Sequence, residues 1–348
     1  MQGRVHTLDD MHIRRLDLDN DAELHAFYQA MRDAELAENP DRPIWTEQVM
    51  IGHLREPTED RVVEAWAVFE DDSTGATMLG GGLAFFPQLD NTDKAYTGLC
   101  IAPQHQRQGA GSAVLEHLVS RAAAHGRTTL LMESQYGFDR REDHGYRRFA
   151  ERHGFSVASV EVCRRMPLPV PEEQLQAWID EAAPYHRDYR LETFEEIPDE
   201  LLPSVCYVLN QLALDAPTGD IVFEAEQITP EIRRESDARF KKRGGAKLET
   251  VAIDETGQAV AVTTLGLMGE EPDKVHQWAT IVNRDHRGHR LGLAVKVANL
   301  RALQRAFPER AAVYTSNHED NTNMVAINEK LGFRPVELFV EFQRKLDA

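Results

Sequence analysis

Cysteine is scarce in this chain of 348 residues: Cys100, Cys163 and Cys206 form neither a C-x-x-C pair nor an even framework. That excludes a disulfide-stapled scaffold and fits a reducing compartment. Long apolar runs are missing too, since nothing approaches the roughly 18 residues a membrane-spanning helix needs. The N-terminus, with Asp9, Asp10 and His12, shows no signal-peptide core. Positive charge is short, 39 Lys and Arg against 58 Asp and Glu, and a net charge of −19 argues against DNA, RNA or an acidic membrane as partner. The expectation is a cytoplasmic globular protein whose acidity keeps it soluble and permits a cationic substrate.

What the chain does have is a sentence written twice. Gln106-Arg107-Gln108-Gly109-Ala110-Gly111 follows the apolar run Leu99 to Ile101 and opens a helical pattern at Val114, Leu115, Leu118 and Val119. About 180 residues later, Arg287-Gly288-His289-Arg290-Leu291-Gly292 follows Thr280 to Val282 and opens another at Leu293, Val295, Val297 and Leu300. A repeat of that length implies two domains, read here as 1–168 and 189–348 with a Pro-rich linker and short helix at 169–188. Each is large enough to bury its own core.

A strand that turns straight into a helix leaves the first backbone N–H groups unpaired and aimed at one spot, where the helix dipole also favours negative charge. Glycine at 109 and 111 lets the backbone approach an anion closely, and Arg107 or Arg287 adds charge-assisted donors. A diphosphate fits such a cradle. Each copy is followed, 48 and 45 positions from its first residue, by a Gly-Phe pair closing a helical stretch: Gly154-Phe155 and Gly332-Phe333. The glycines read as helix C′ residues and the phenylalanines as the first core residues of the next strands.

On those residues the chain resembles the GNAT superfamily of acetyl-coenzyme A dependent N-acetyltransferases, in tandem form. Both halves carry the (Arg/Gln)-x-x-Gly-x-(Gly/Ala) loop, the second with Arg290 where the first Gly belongs, and Asn321 stands eleven positions before Gly332 where the family keeps an Asn. The resemblance runs from His12 to the C-terminus. It implies acetyl-CoA as co-substrate, held by Ile101, Arg107, Gln108, Gly109, Ala110, Gly111 and Ser112 in the first copy. In the second it implies Ile281, Val282, Arg287, Gly288, His289, Arg290, Leu291, Gly292 and Asn321. The expected class is α/β (α+β), each domain a mixed, mostly antiparallel sheet flanked by helices.

The pattern along each half agrees. Opening strands at 12–16 and 189–193 precede helices at 21–38 and 200–214. Strands follow at 64–70, 80–86 and 95–101, echoed at 249–254, 259–267 and 276–282, and a further strand after each loop helix at 128–133 and 311–315. Pro167 to Pro171 leads into an amphipathic helix at 172–183.

Acetyl transfer from a thioester needs a neutral amine aligned on the carbonyl, a base for its proton, and an acid or water for the thiolate. The family's usual base, eleven positions before the loop, falls on Ala95 in one half and His276 in the other; its usual acid, a Tyr four before the final Gly, falls on Ala150 and Asn328. Candidate catalytic residues are therefore His276, Glu270 and Tyr314, with Glu271 beside Glu270, and the C-terminal half is the favoured site. Arg290 is expected to reach a phosphate with its guanidinium. Cys100 reads as a packing residue, most of the four tryptophans as core, 139–144 as a solvated loop with no metal site, and 215–220 as an acceptor loop. The expected partner is a small amine, a metabolite or aminoglycoside-like compound, acted on by a monomer or homodimer. The alternatives are a non-catalytic acyl-CoA sensor and a protein N-acetyltransferase.

Overall fold

The computed structural model describes residues 11–40, 44–56, 60–211, 228–269 and 271–346. Glu270 and the 215–220 segment lie outside them. Contacts divide the chain into two compact units. Among the described residues one comprises the chain up to Val160 and from Leu338 onward, and the other Glu161 to Glu337. From sequence the breaks had been expected at 168 and 189; the contacts put them inside two long strands.

The first unit begins with β1 (His12–Arg15) and α1 (Asp21–Glu38). The Asn20 side chain accepts the N–H groups of Ala22 and Glu23, and Leu24, Phe27, Tyr28 and Ala34 turn one face of α1 inward. After α2 (Glu47–Arg55), an antiparallel meander of β2 (Arg61–Phe69), β3 (Met78–Pro87) and β4 (Lys94–Ile101) follows. The Gly81-Gly82 pair in β3 has a packing reason. A Cβ on Gly81 would sit 2.6 Å from the Phe27 ring of α1, and one on Gly82 2.8 Å from Val114 and Leu118 of α3 (Ala110–Ala124). Helices therefore press on both faces of this strand. β5 (Thr129–Gly137), α4 (Gly145–Arg152) and the first half of β6 (Ser156–Pro167) complete the order.

The second unit repeats the plan. The latter half of β6 pairs antiparallel with β11 (Ala312–His318). Then come α5 (Glu172–Ala182), β7 (Arg190–Phe194), α6 (Leu202–Asn210), α7 (Pro230–Lys242) and the meander β8 (Ala246–Ile253), β9 (Ala259–Leu267) and β10 (Lys274–Val282). After α8 (Leu291–Ala306) and β11, α9 (Thr322–Lys330) leads into β12 (Arg334–Lys345). From Leu338 that strand belongs to the first unit, where it neighbours β5 and the Leu346 N–H donates to the Thr128 carbonyl. The expected class holds: each sheet is mixed and mostly antiparallel, flanked by helices.

Gly154 and Gly332 end α4 and α9 with φ of 78° and 88°, and Phe155 and Phe333 behind them are buried. α5 is more than a linker helix, because Leu175, Trp178 and Ala182 enter the core that Leu293, Val297 and Leu300 of α8 build. The expectation for the tryptophans is corrected: only Trp178 is buried, while Trp45 and Trp278 are exposed. No helix of the described residues is long and apolar enough to cross a membrane.

Candidate active site

Both glycine loops run from a strand into a helix, and both hold positive φ at the same two places. In the first, Arg107 (φ 63°) and Gly109 (φ 99°) take them; in the second, Gly288 (φ 87°) and Arg290 (φ 52°). Each loop thus has one glycine where the left-handed region favours it and one arginine strained by about 1 kcal/mol. The Ala113 N–H makes the first helical bond, to the Gly109 carbonyl, so the amides of Ala110, Gly111 and Ser112 have no partner within α3.

The strands before and after each loop pair as short parallel ladders and then part. β4 pairs with β5 from Lys94 with Thr129 to Thr97 with Met132, and β10 with β11 from Lys274 with Ala312 to Gln277 with Thr315. In the first unit the parted ends border a cavity of about 610 Å³. Leu99, Cys100 and Ile101 form one wall, Met132 to Gln135 another, and Arg107, Gly109, Gly111 and Ser112 its loop end. Arg107 has no partner among the described residues, and Arg148 and Arg152 of α4 line the same cavity. Carboxylates line it as well, Glu35 and Glu38 at the end of α1 and Glu133 on β5. Of the residues expected to hold a cofactor here, Gln108 turns its amide back onto the Gln104 carbonyl (3.2 Å) and Ala110 is buried. Cys100, expected in the core, is partly exposed on the cavity wall.

The 139–144 segment is mostly exposed, as expected, except at its end, where His144 is turned inward. His144 is only 3% exposed and caps α4, its Nδ1 accepting the Tyr146 N–H at 3.2 Å. That places the ring proton on Nε2, which donates to Glu38 at 3.0 Å. The ring stacks on Tyr136 with centroids 4.4 Å apart. Tyr146, Glu38 and His144 were not legible from family spacing; the available signal was that Tyr146 precedes Ala150 by four residues, one helical turn along the same face.

The second unit treats its loop differently. The Arg290 guanidinium donates to Glu181 of α5 at 2.6 Å and lies 4.2 Å from the centre of the Tyr185 ring; Lys330 donates to the same carboxylate at 2.6 Å. Those two cations hold the Glu181 carboxyl below its usual range. His289 bonds the Tyr185 carbonyl (3.1 Å) and His286 the Tyr189 hydroxyl (3.0 Å). So Arg290 meets a carboxylate of its own chain rather than being left for a phosphate. Arg287 Nε points back to the Val282 carbonyl (3.4 Å), Ile281 and Leu291 are buried, and Asn321 caps α9 by accepting the Met324 N–H (3.3 Å).

His276 and Tyr314 are direct neighbours on β10 and β11, ring centres 6.4 Å apart. The His276 Nε2 is paired with Glu271 at 2.6 Å, and the Tyr314 hydroxyl accepts from Arg165 Nε at 3.2 Å. A bulge between Gln277 and Thr280 gives β10 one residue more than β4. His276, opposite Tyr314, therefore corresponds to Tyr96, opposite Leu131, and not to Ala95 as the count from the loop implied. Beneath the second cradle, Lys296 of α8 is fully buried, donating to Asn328 at 2.8 Å, and Asn328 donates to Asn317 at 2.5 Å. Burial lowers the Lys296 amine to about 7.

Residues 63–157 match the family model of the acetyltransferase (GNAT) domain. No curated protein matches the sequence. Among solved structures, a tandem GNAT protein from the clavulanic acid biosynthesis pathway is 23% identical, with a TM-score of 0.74 over 97% of this chain and 99% of that one. A GCN5-related N-acetyltransferase from Sphaerobacter thermophilus is 14% identical, with 98% of both chains covered and a TM-score of 0.63. The Saccharomyces cerevisiae N-myristoyltransferase, solved with myristoyl-CoA, is 13% identical, with a TM-score of 0.55 over 97% of this chain and 81% of that one.

Proposed function

We propose, on the premise that this chain carries a GNAT acetyltransferase domain within the tandem GNAT fold, that it transfers an acetyl group from acetyl-coenzyme A to the primary amine of a small molecule, in its N-terminal unit. The observation that carries the reading is the cavity, lined by the first loop with its unpaired α3 amides and Arg107, by the carboxylates of Glu35, Glu38 and Glu133, and by the two parted strands.

The residues fit an acyl-CoA. Amides of Ala110, Gly111 and Ser112, with Arg107, suit a diphosphate, and the same cavity is lined by the cationic Arg152 and by Arg148, which is paired with Asp143. The parted strand ends leave backbone groups that pair naturally with an extended chain bearing amides. When bound, the thioester supplies an activated acyl carbon. The chain's own work is positioning, which is where most of the rate in such a transfer lies. Glu35, Glu38 and Glu133 draw an ammonium group in, and Tyr146, one helical turn before Ala150, supplies a hydroxyl proton from the cavity lining.

Isothermal calorimetry with acetyl-CoA, joined to a thiol-release assay over a panel of primary amines, tests this. Binding with amine-dependent thiol release is expected. Binding without turnover on any amine overturns the enzyme reading in favour of a sensor, and no heat at all overturns both.

A further inference from the structure

Three carboxylates line the cavity, and for Glu38 the structure shows how its orientation is set. One oxygen takes the proton of a buried imidazole at 3.0 Å. The other nitrogen of that ring is occupied by the Tyr146 amide at 3.2 Å. The ring itself is clamped between the Tyr136 face (4.4 Å, 5° between planes) and Tyr146 (4.6 Å, edge-on). A neutral histidine with one fixed tautomer thus aims a carboxylate whose side chain keeps 30% of its surface open. This is the arrangement a general base needs: a rigid partner on one oxygen and access on the other. The β4 residue in the register of His276 is Tyr96, so β4 offers neither a carboxylate nor an imidazole at that place.

We infer that Glu38 is the general base of the N-terminal unit and His144 its positioning residue; this rests on the acetyl-transfer reading above. The ammonium of the acceptor gives one proton to the Glu38 carboxylate. The freed nitrogen then bonds to the acyl carbon as the carbon–sulfur bond breaks. The second proton leaving nitrogen ends on the departing thiolate, by way of the Tyr146 hydroxyl, and Glu38 returns its proton to water. One ammonium and one thioester become one amide, one thiol and one proton. The other charged groups around the cavity are Glu35 on α1, Glu133 on β5, Arg107 of the loop, Arg140, Arg148 and Arg152.

Glu38→Gln keeps an oxygen for the His144 proton, so the fold stands. It is expected to leave acetyl-CoA affinity unchanged by calorimetry while lowering kcat/KM for the amine by about 100-fold near neutral pH. The deficit should shrink as pH rises and the amine loses its proton unaided. His144→Asn, which retains a capping side chain, should lower kcat about tenfold with donor affinity intact. Full activity of Glu38→Gln, or a deficit that is constant with pH, overturns the base assignment alone. Wild-type protein that binds acetyl-CoA but releases no thiol with any amine overturns the underlying reading as well.

Discussion

The loop at Gln106–Gly111 and the loop at Arg287–Gly292 share one backbone, with positive φ at their second and fourth residues, yet they end in different surroundings. In the first, the fourth residue is Gly109, Arg107 has no partner among the described residues, and the loop opens on a cavity beside parted strands. In the second, the fourth residue is Arg290, and α5 with the residues after it brings Glu181, Tyr185 and Tyr189 against the loop. Even the matching glycines differ: Gly111 is partly exposed, whereas Gly292 is buried, a Cβ there lying 3.5 Å from Ile327. A cradle is therefore decided by what its neighbours leave open as much as by its own glycines.

The buried charges of the two units differ in the same way. Glu64 on β2 is buried but fully served: Arg121 of α3 grips both oxygens at 2.8 Å, and His125 and Trp66 add bonds at 3.0 and 3.2 Å. These bonds, led by Arg121, lower its carboxyl to about 2. Lys296 has one amide oxygen and the Phe333 ring, 5.4 Å away, where the corresponding place in the first unit holds Leu115.

The largest expected effect is on the loops. Gly111→Glu places a carboxylate where the cradle amides converge and should weaken acetyl-CoA binding at least about 100-fold, since it sets like charge against the diphosphate. Its Cβ has room, the nearest atom being 3.6 Å away, and an acid in the first turn suits the helix. Glu64→Gln should cost about 3 kcal/mol of stability at pH 7, measured by urea denaturation. A depressed folded-state value means that this contribution is present above the ordinary carboxyl value of 4.5 and is lost as pH falls from there toward about 2. The wild-type advantage over the variant should vanish in that window. Next in size is the pair Lys296→Leu with Asn328→Ala, which rebuilds the second unit on the pattern of Leu115 and Ala150. It should raise stability by about 1–3 kcal/mol at pH 6. The lysine's folded value, about 7, lies below its ordinary 10.5, so the cost of burying its charge is full below pH 7 and fades as pH rises from there to 10.5. The gain of the double variant should fade with it. Smallest is Arg290→Ala, which breaks an exposed ion pair with Glu181 and the contact with the Tyr185 ring, and should change acetyl-CoA affinity less than about twofold.

The repeated loops, the meanders and the Gly-Phe helix ends were legible because glycine at a left-handed turn and apolar alternation are local signals. Asp21–Glu38 and Ala259–Leu267 fall where periodicity put them. Three things needed tertiary structure. The extra residue in β10 shifts His276 onto the register of Tyr96, and no count along the chain can show a bulge. His144 sits in a run of charged residues, Asp139 to Asp143, that reads as solvent-facing until Tyr136 and Glu38 are seen on either side of its ring. The helix at Glu172–Ala182 reads as linker from its proline-rich approach, although Leu175 and Trp178 turn it into part of the core and set Glu181 on the second loop.

The claim on which the rest depends is that the first loop, and not the second, receives the diphosphate. Titrating acetyl-CoA into wild type, Gly111→Glu and Arg290→Ala by calorimetry tests it directly. The account predicts that binding is lost in Gly111→Glu and kept in Arg290→Ala; binding that survives the first substitution and fails in the second would contradict it.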